Sequence, residues 1–283
     1  MLWKRVASST ILIPFFLWVV WIGDLPYKAI TIVIVVLALI EFCQLTRTTG
    51  VSQIVISFFS LLFCLLAFEN IVHPENIGLF LGFSIICILF GSFLIQILKD
   101  EADSGFLSTA VLAIGTIYIG WAFGYHVIQL RNLLEDEDGR SFTYFLLIII
   151  WTGDSIAYFY GKNFGKHKIR PNISPGKTIE GTVVGLLFSI ISGLGLWYIS
   201  GLGLWCFQLP NDIGIKEAIL AALIIGVTSQ ISDFSESIIK RAADVKDSGT
   251  LIPGHGGTLD RIDSMIFATP ALYYYLRLTL GLE

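Results

Sequence analysis

A polytopic, all-α membrane protein of about nine spanning helices is the fold class that this sequence predicts. Three observations carry it. Of 283 residues, 55% are hydrophobic and only 14% are charged, whereas a soluble domain carries roughly a quarter charged residues. The apolar residues run in blocks near the ~20 residues that a spanning helix needs, and the mean hydropathy is +0.78. Lys and Arg gather in alternate connections between the blocks. These features exclude an ordinary soluble enzyme, a disordered chain and a nucleic-acid binder with a basic face. The net charge of -4 likewise offers nothing to DNA or RNA.

The first span, 9–24, is the plain apolar run from Ile11 to Gly23 behind Lys4 and Arg5. No small-x-small cleavage site follows it, and the next apolar block begins within a few residues, so it reads as a retained first helix. The second span, 27–45, carries Glu41 near its end, flanked by Gln44 and Arg47; a structural hydrogen bond suits Glu41 at least as well as a chemical role. Spans three to five are 51–72, 77–98 and 107–130, span six is 142–161 and span seven is 181–200. Glycines four apart at Gly78/Gly82, Gly120/Gly124 and Gly181/Gly185 let helix backbones approach closely. Spans eight and nine are 217–239 and 260–281. Residues 1–104 are read as N-terminal spanning helices and 105–283 as the catalytic region of one integral membrane unit. Cys43, Cys64, Cys87 and Cys206 sit in or beside apolar stretches without C-x-x-C spacing, as small hydrophobes do.

Charge sets the orientation. With the N-terminus in the cytoplasm, thirteen of the 18 Lys and Arg fall on the inner side, as the positive-inside rule requires. The acidic run Glu135-Asp136-Glu137-Asp138 then lies outside as a solvated loop. The two longest inner connections, 162–180 and 240–259, hold most of the inner positive charge.

Carboxylates within a membrane span are expensive and mark function by default. Asp154, Asp233, Glu236, Asp260 and Asp263 lie inside or at the lip of a span. Asp233 is seven residues before Lys240, where span eight leaves the membrane, which places it ~10 Å inside. Glu236 shares its face, and Asp260 and Asp263 share one face of span nine. Spans eight and nine are antiparallel neighbours, so their acids meet at one depth below the inner surface, with Asp154 able to join them. Clustered acids repel one another unless protonated or bridged by a cation. Hard oxygen ligands without His or Cys point to Mg²⁺, with Asp233, Asp260, Asp263 and Glu236 as ligands. The competing arrangement is simple pairing of these acids with Lys240, Arg241 and Arg261.

The inner loops supply the complementary parts. Lys240, Arg241 and Lys246 precede the turn Pro253-Gly254-His255-Gly256-Gly257, which leads into span nine. Glycines let backbone N–H groups face an anion at a helix start. Ser174, Lys177 and Thr178 stand before span seven in the same way, although the G-x-x-x-x-G-K-[ST] spacing of a P-loop is missing. Cations, exposed amides and metal-binding acids together are what a triphosphate requires. Lys162, Lys166, Lys168 and Arg170 form a looser cluster suited to orientation and to attracting membrane lipid headgroups.

The segment Ser237-x-Ile239-Lys240-Arg241-x₄-Lys246-Asp247-x-Gly249, then Pro253-x-His255-Gly256-Gly257-x-Leu259-Asp260-Arg261-Ile262-Asp263, resembles the phosphatidate cytidylyltransferase motif. Asp154-Ser155-x-Ala157-Tyr158 and Ser174-Pro175-x-Lys177-Thr178-x-Glu180-Gly181 are similar to that family too. Thr258 stands where the family has an apolar residue, and Gly176 where it often has Lys. The resemblance covers residues 105–280 closely and the first helices by hydropathy. It implies transfer of a cytidylyl group from CTP to phosphatidic acid, a homodimer, a bacterial-type cytoplasmic (inner) membrane location, and two cations bridged by Asp233 and Asp260, one Mg²⁺ and the other such as K⁺. It adds Asp263 and Lys246 as catalytic residues and places Asp154, Ser174, Lys177, Thr178, Ser237, Lys240, Arg241, Asp247, His255, Gly256, Gly257 and Arg261 around the substrates. Two other classes remain open on the residues: a related CTP-dependent transferase for another lipid phosphate, and a cation transporter, which explains the acids but not the glycine-rich basic loop.

Overall fold

A computed structural model describes residues 2–67, 77–99, 105–134, 139–203, 207–251 and 256–282. Its helices are α1 (Leu2–Ile22), α2 (Asp24–Leu45), α3 (Val51–Leu66), α4 (Ile77–Lys99), α5 (Gly105–Gly115), a π-helical segment (Thr116–Tyr125), α6 (His126–Arg131), α7 (Gly139–Phe164), α8 (Ile179–Gly201), α9 (Ile215–Ala242), α10 (Leu259–Ile262) and α11 (Met265–Thr279). A short antiparallel hairpin, β1 (Lys168–Arg170) and β2 (Ser174–Thr178), interrupts the helices. Among the described residues, five helical stretches are long and apolar enough to cross a membrane: 24–45, 105–131, 139–164, 179–201 and 215–242. Thr10–Ile22, Val51–Leu66 and Gly82–Leu98 are shorter apolar helices.

Three features depart from a plain all-α reading. The 162–180 connection is a hairpin rather than an irregular loop. The fifth helical stretch winds as a π-helix for ten residues, a rare geometry. The last stretch is broken at Asp263–Ser264, between α10 and α11. A break inside a packed helix leaves backbone groups without their usual partners. Here Ser232 of α9 supplies both partners: its hydroxyl donates to the Asp263 carbonyl and accepts from the Phe267 amide at 3.2 Å.

The most extensive helix packing joins α7 to α8, along a seam of small residues. A Cβ added to Gly185 would meet the Ala157 Cβ at 2.7 Å, and one added to Gly181 would meet the Ala157 carbonyl oxygen at 2.6 Å. The pair Gly120/Gly124 likewise admits Ser60 and Cys64 of α3, whereas Gly82 has nothing within 4 Å. One buried cluster gathers residues of α1 to α3, the π-helical segment and α10–α11. A second gathers α7, α8, α9 and α11. The first cluster draws on both sides of residue 104, so the N-terminal helices share a core with the helices that carry the acids. Many large apolar side chains on α3, α4 and α8 face outward, among them Phe58, Phe90 and Leu187, as lipid-facing helices require.

Candidate active site

The residues of interest collect where α9 ends, α10 begins and the hairpin enters α8. On α9, Asp233, Glu236, Ser237 and Lys240 recur three or four residues apart and so line one face. Lys240 is buried, and its Nζ pairs with the fully buried Glu236 and, at 2.6 Å, with Asp260 Oδ1. The other Asp260 oxygen, Oδ2, accepts from the amides of Ser248 and Gly257 at 2.8 Å and from the Ser248 hydroxyl at 2.9 Å. Gly257 to Asp260 is the reach-back of a capping box, a side chain bonding the backbone N–H three residues earlier at a helix start.

A second group lies alongside. Lys177 of β2 places its Nζ 2.6 Å from Asp233 Oδ2 and 4.2 Å from the Phe234 ring centroid. Ser237 donates to Asp233 Oδ1 at 3.4 Å. Asp263 Oδ1 accepts from the Ser264 amide at 2.7 Å, and the Ser264 hydroxyl reaches Asp154 Oδ2 of α7 at 3.0 Å. Asp154, Asp233 and Asp263 lie within electrostatic reach of one another. Three helices thus deliver carboxylates to one region, as the spacing predicts. The competing arrangement, pairing of acids with cations, is also present, but through Lys177 and Lys240. Arg261 points outward and is exposed.

The glycine turn differs in its ligand. Among the described residues, the amides of Gly257, Thr258 and Leu259 do face anions, but these are the chain's own carboxylates. Thr258 and Leu259 donate to Glu41 Oε1 and Oε2, each at 2.8 Å, while Gly257 donates to Asp260. The glycines are needed because the carboxylates press on them. Gly256 has φ +82°, and a Cβ there would lie 2.5 Å from Asp260 Oδ2. A Cβ on Gly249 would lie 2.7 Å from Glu41 Oε1, and one on Gly257 would collide with Glu41 and Ser248.

The remaining expected residues are placed as follows. Thr178 is buried and caps α8, its hydroxyl accepting from the Gly181 amide at 3.2 Å. Ser174 opens β2, paired with Arg170. Arg241 ties the hairpin to the 240–259 loop by donating to the carbonyls of Ile173 at 3.1 Å and Val245 at 2.7 Å. Lys246 and Asp247 are exposed on that loop, as are Lys162, Lys166, Lys168 and Arg170 on and around the hairpin. His255, with Pro253 and Gly254, lies outside the described residues, as do Cys206 and the acidic run at 135–138. Sequence reasoning overlooked Ser232, Ser248 and Ser264, and assigned Glu41 no place at the site. A hydroxyl residue inside an acid-rich motif was the available signal for Ser248 and Ser264.

The donor set matches a hard divalent cation in kind, since every candidate ligand is a carboxylate or hydroxyl oxygen. Among the described residues no three acids surround a single point. Lys240 pairs with Glu236 and Asp260, and Lys177 with Asp233.

The model of the cytidylyltransferase family matches residues 3–279. A phosphatidate cytidylyltransferase of Bacillus subtilis is 33% identical over 97% of both chains. One from Brucella abortus is 28% identical over 96% of this chain and 92% of its own. One from Staphylococcus haemolyticus is 35% identical over 59% of this chain and 58% of its own.

Proposed function

The chain belongs to the cytidylyltransferase family, and from that premise we propose that it is an integral membrane enzyme transferring a cytidylyl group from CTP to phosphatidic acid. The products are CDP-diacylglycerol and pyrophosphate. The observation that carries this reading is the Lys177–Asp233 pair beside Asp154 and Asp263: cations for phosphates and hard acids for a metal share one helix end. Counting α5 to α6 as one stretch and α10–α11 as one, the described helices would then be nine spans, with the N-terminus and the site cytoplasmic, in an inner membrane and in a homodimer.

In the reaction a phosphatidate oxygen attacks the α-phosphorus of CTP, and the bond to the β-phosphate oxygen breaks. The nucleophile is already an anion, so no strong general base is required. Catalysis then rests on positioning and on neutralising charge. Lys177, Arg241 and Lys246 would hold the CTP phosphates and the departing pyrophosphate, with Ser174 and Ser237 beside them. Thr178 would act by fixing the start of α8 and hence Lys177. Asp233 and Asp263, with Asp154, would hold Mg²⁺ once Lys177 releases Asp233 and the carboxylates turn toward one point, and Asp260 and Glu236 would join them where Lys240 turns to a phosphate; a second cation such as K⁺ would draw on the same acids. Bound there, Mg²⁺ would supply Lewis-acid neutralisation of the phosphate oxygens.

The test is incubation of the purified protein in detergent with Mg²⁺, phosphatidate and each nucleoside triphosphate, measuring pyrophosphate and lipid nucleotide. Release with CTP that depends on phosphatidate is the expected result. No release with any nucleotide would overturn the reading.

A further inference from the structure

Glu41 lies on α2, more than two hundred residues from the loop it touches, and is 6% exposed. Its two oxygens accept three hydrogen bonds: Oε1 from the Thr258 amide, and Oε2 from the Leu259 amide and the Ser248 hydroxyl, at 2.8, 2.8 and 2.9 Å. Two consecutive amides at a helix start donating to one carboxylate place negative charge on the positive end of the backbone dipole. The same segment holds Asp260. The Ser248 hydroxyl stands 2.9 Å from both Glu41 Oε2 and Asp260 Oδ2, so one hydroxyl proton serves two carboxylates. Gly249 and Gly257 carry no side chain where the Glu41 carboxylate lies. Both ends of the loop, Ser248–Gly249 and Gly257–Leu259, are therefore fitted to Glu41.

We propose that Glu41 is a positioning residue: from the N-terminal helices it clamps both ends of the 248–259 loop and so fixes Asp260 and Lys240 for the reaction. The proposal rests on the cytidylyl-transfer reading. Glu41 makes no substrate contact; it acts through Ser248 and the α10 start. Gln is nearly the same size but replaces one acceptor oxygen by a donor, so an N–H must face an N–H at Thr258 or at Leu259. Asp keeps both acceptors and withdraws them by one methylene.

Glu41→Gln and Glu41→Asp are compared with the wild type in detergent by steady-state kinetics, thermal unfolding and amide hydrogen exchange. Glu41→Gln should lower kcat by about 10²-fold, the scale of a ~1 Å misplacement of catalytic groups. The KM for phosphatidate should stay within about twofold, because the role proposed for Glu41 is to position Asp260 and Lys240 rather than to bind the lipid. Exchange should quicken at 257–260 and remain slow along α7 and α8. Glu41→Asp should recover part of kcat. If Glu41→Gln does not fold, Glu41→Asp alone must show a smaller kcat loss in the same direction, with faster exchange confined to 257–260. Wild-type kcat in a folded variant, or faster exchange spread evenly over all helices, overturns the clamp. An inactive wild type with normal local exchange differences would instead overturn the transfer reading and leave the clamp standing.

Discussion

Lys177 Nζ of the hairpin lies 2.6 Å from Asp233 Oδ2 of α9. Both side chains keep about a quarter of their surface open to solvent, so the pair adds little to stability. Across that distance the lysine neutralises the acid.

Asp233→Asn should therefore leave the protein folded and abolish turnover, by more than about 10²-fold if the acid holds the metal. The check is pyrophosphate release across a Mg²⁺ titration, together with thermal unfolding. Near-normal activity at any Mg²⁺ concentration would remove Asp233 from the required set.

Lys246 and Lys166 are both exposed, but they sit on different loops. Lys246→Ala should lower kcat by at least ~10²-fold, the scale of one lost preorganised contact in the transition state. Lys166→Ala should change only the apparent lipid affinity, and mainly at low ionic strength, because headgroup attraction is screened by salt. Kinetics of both variants at two salt concentrations separates them. Equal losses of kcat would put the hairpin cluster inside the site.

Orientation can be read with single cysteines at two exposed positions, Lys168 in β1 and Asp212 between α8 and α9. A membrane-impermeant thiol reagent should label Lys168→Cys from the cytoplasmic face and Asp212→Cys from the opposite one. Labelling of both from one side would refute the nine-span topology.

The α7–α8 seam carries Asp154 to the site. Gly185→Val would drive a side chain into Gly153 and Ala157, already 2.7–2.8 Å from the first carbon added. Overpacking of this kind costs about 1–3 kcal/mol. The variant should melt earlier and lose activity, while Gly82→Val, with open space around it, should do neither.

Helix positions were legible in the sequence because lipid requires unbroken apolar runs, and soluble folds seldom contain runs of that length. The convergence of Asp154, Asp233 and Asp263 was legible for the same reason: an acid in such a run stands out, and antiparallel neighbours share depth. The hairpin was not, since Lys168–Arg170 and Ser174–Thr178 are too short to show a period. Nor was the partner of Glu41. A carboxylate bonding backbone amides two hundred residues away leaves no local spacing to read; only the glycines opposite it, Gly249 and Gly257, carry the imprint.

Ser232 has a consequence for assembly. The gap between α10 and α11 has its carbonyl and its amide completed by a hydroxyl from α9. As a ninth span, that stretch without α9 beside it would be a helix with two bare polar groups, which hydrocarbon does not tolerate. α9 and α10–α11 would then enter the bilayer as a pair, and residue 232 has to be a side chain that can both give and take a hydrogen bond.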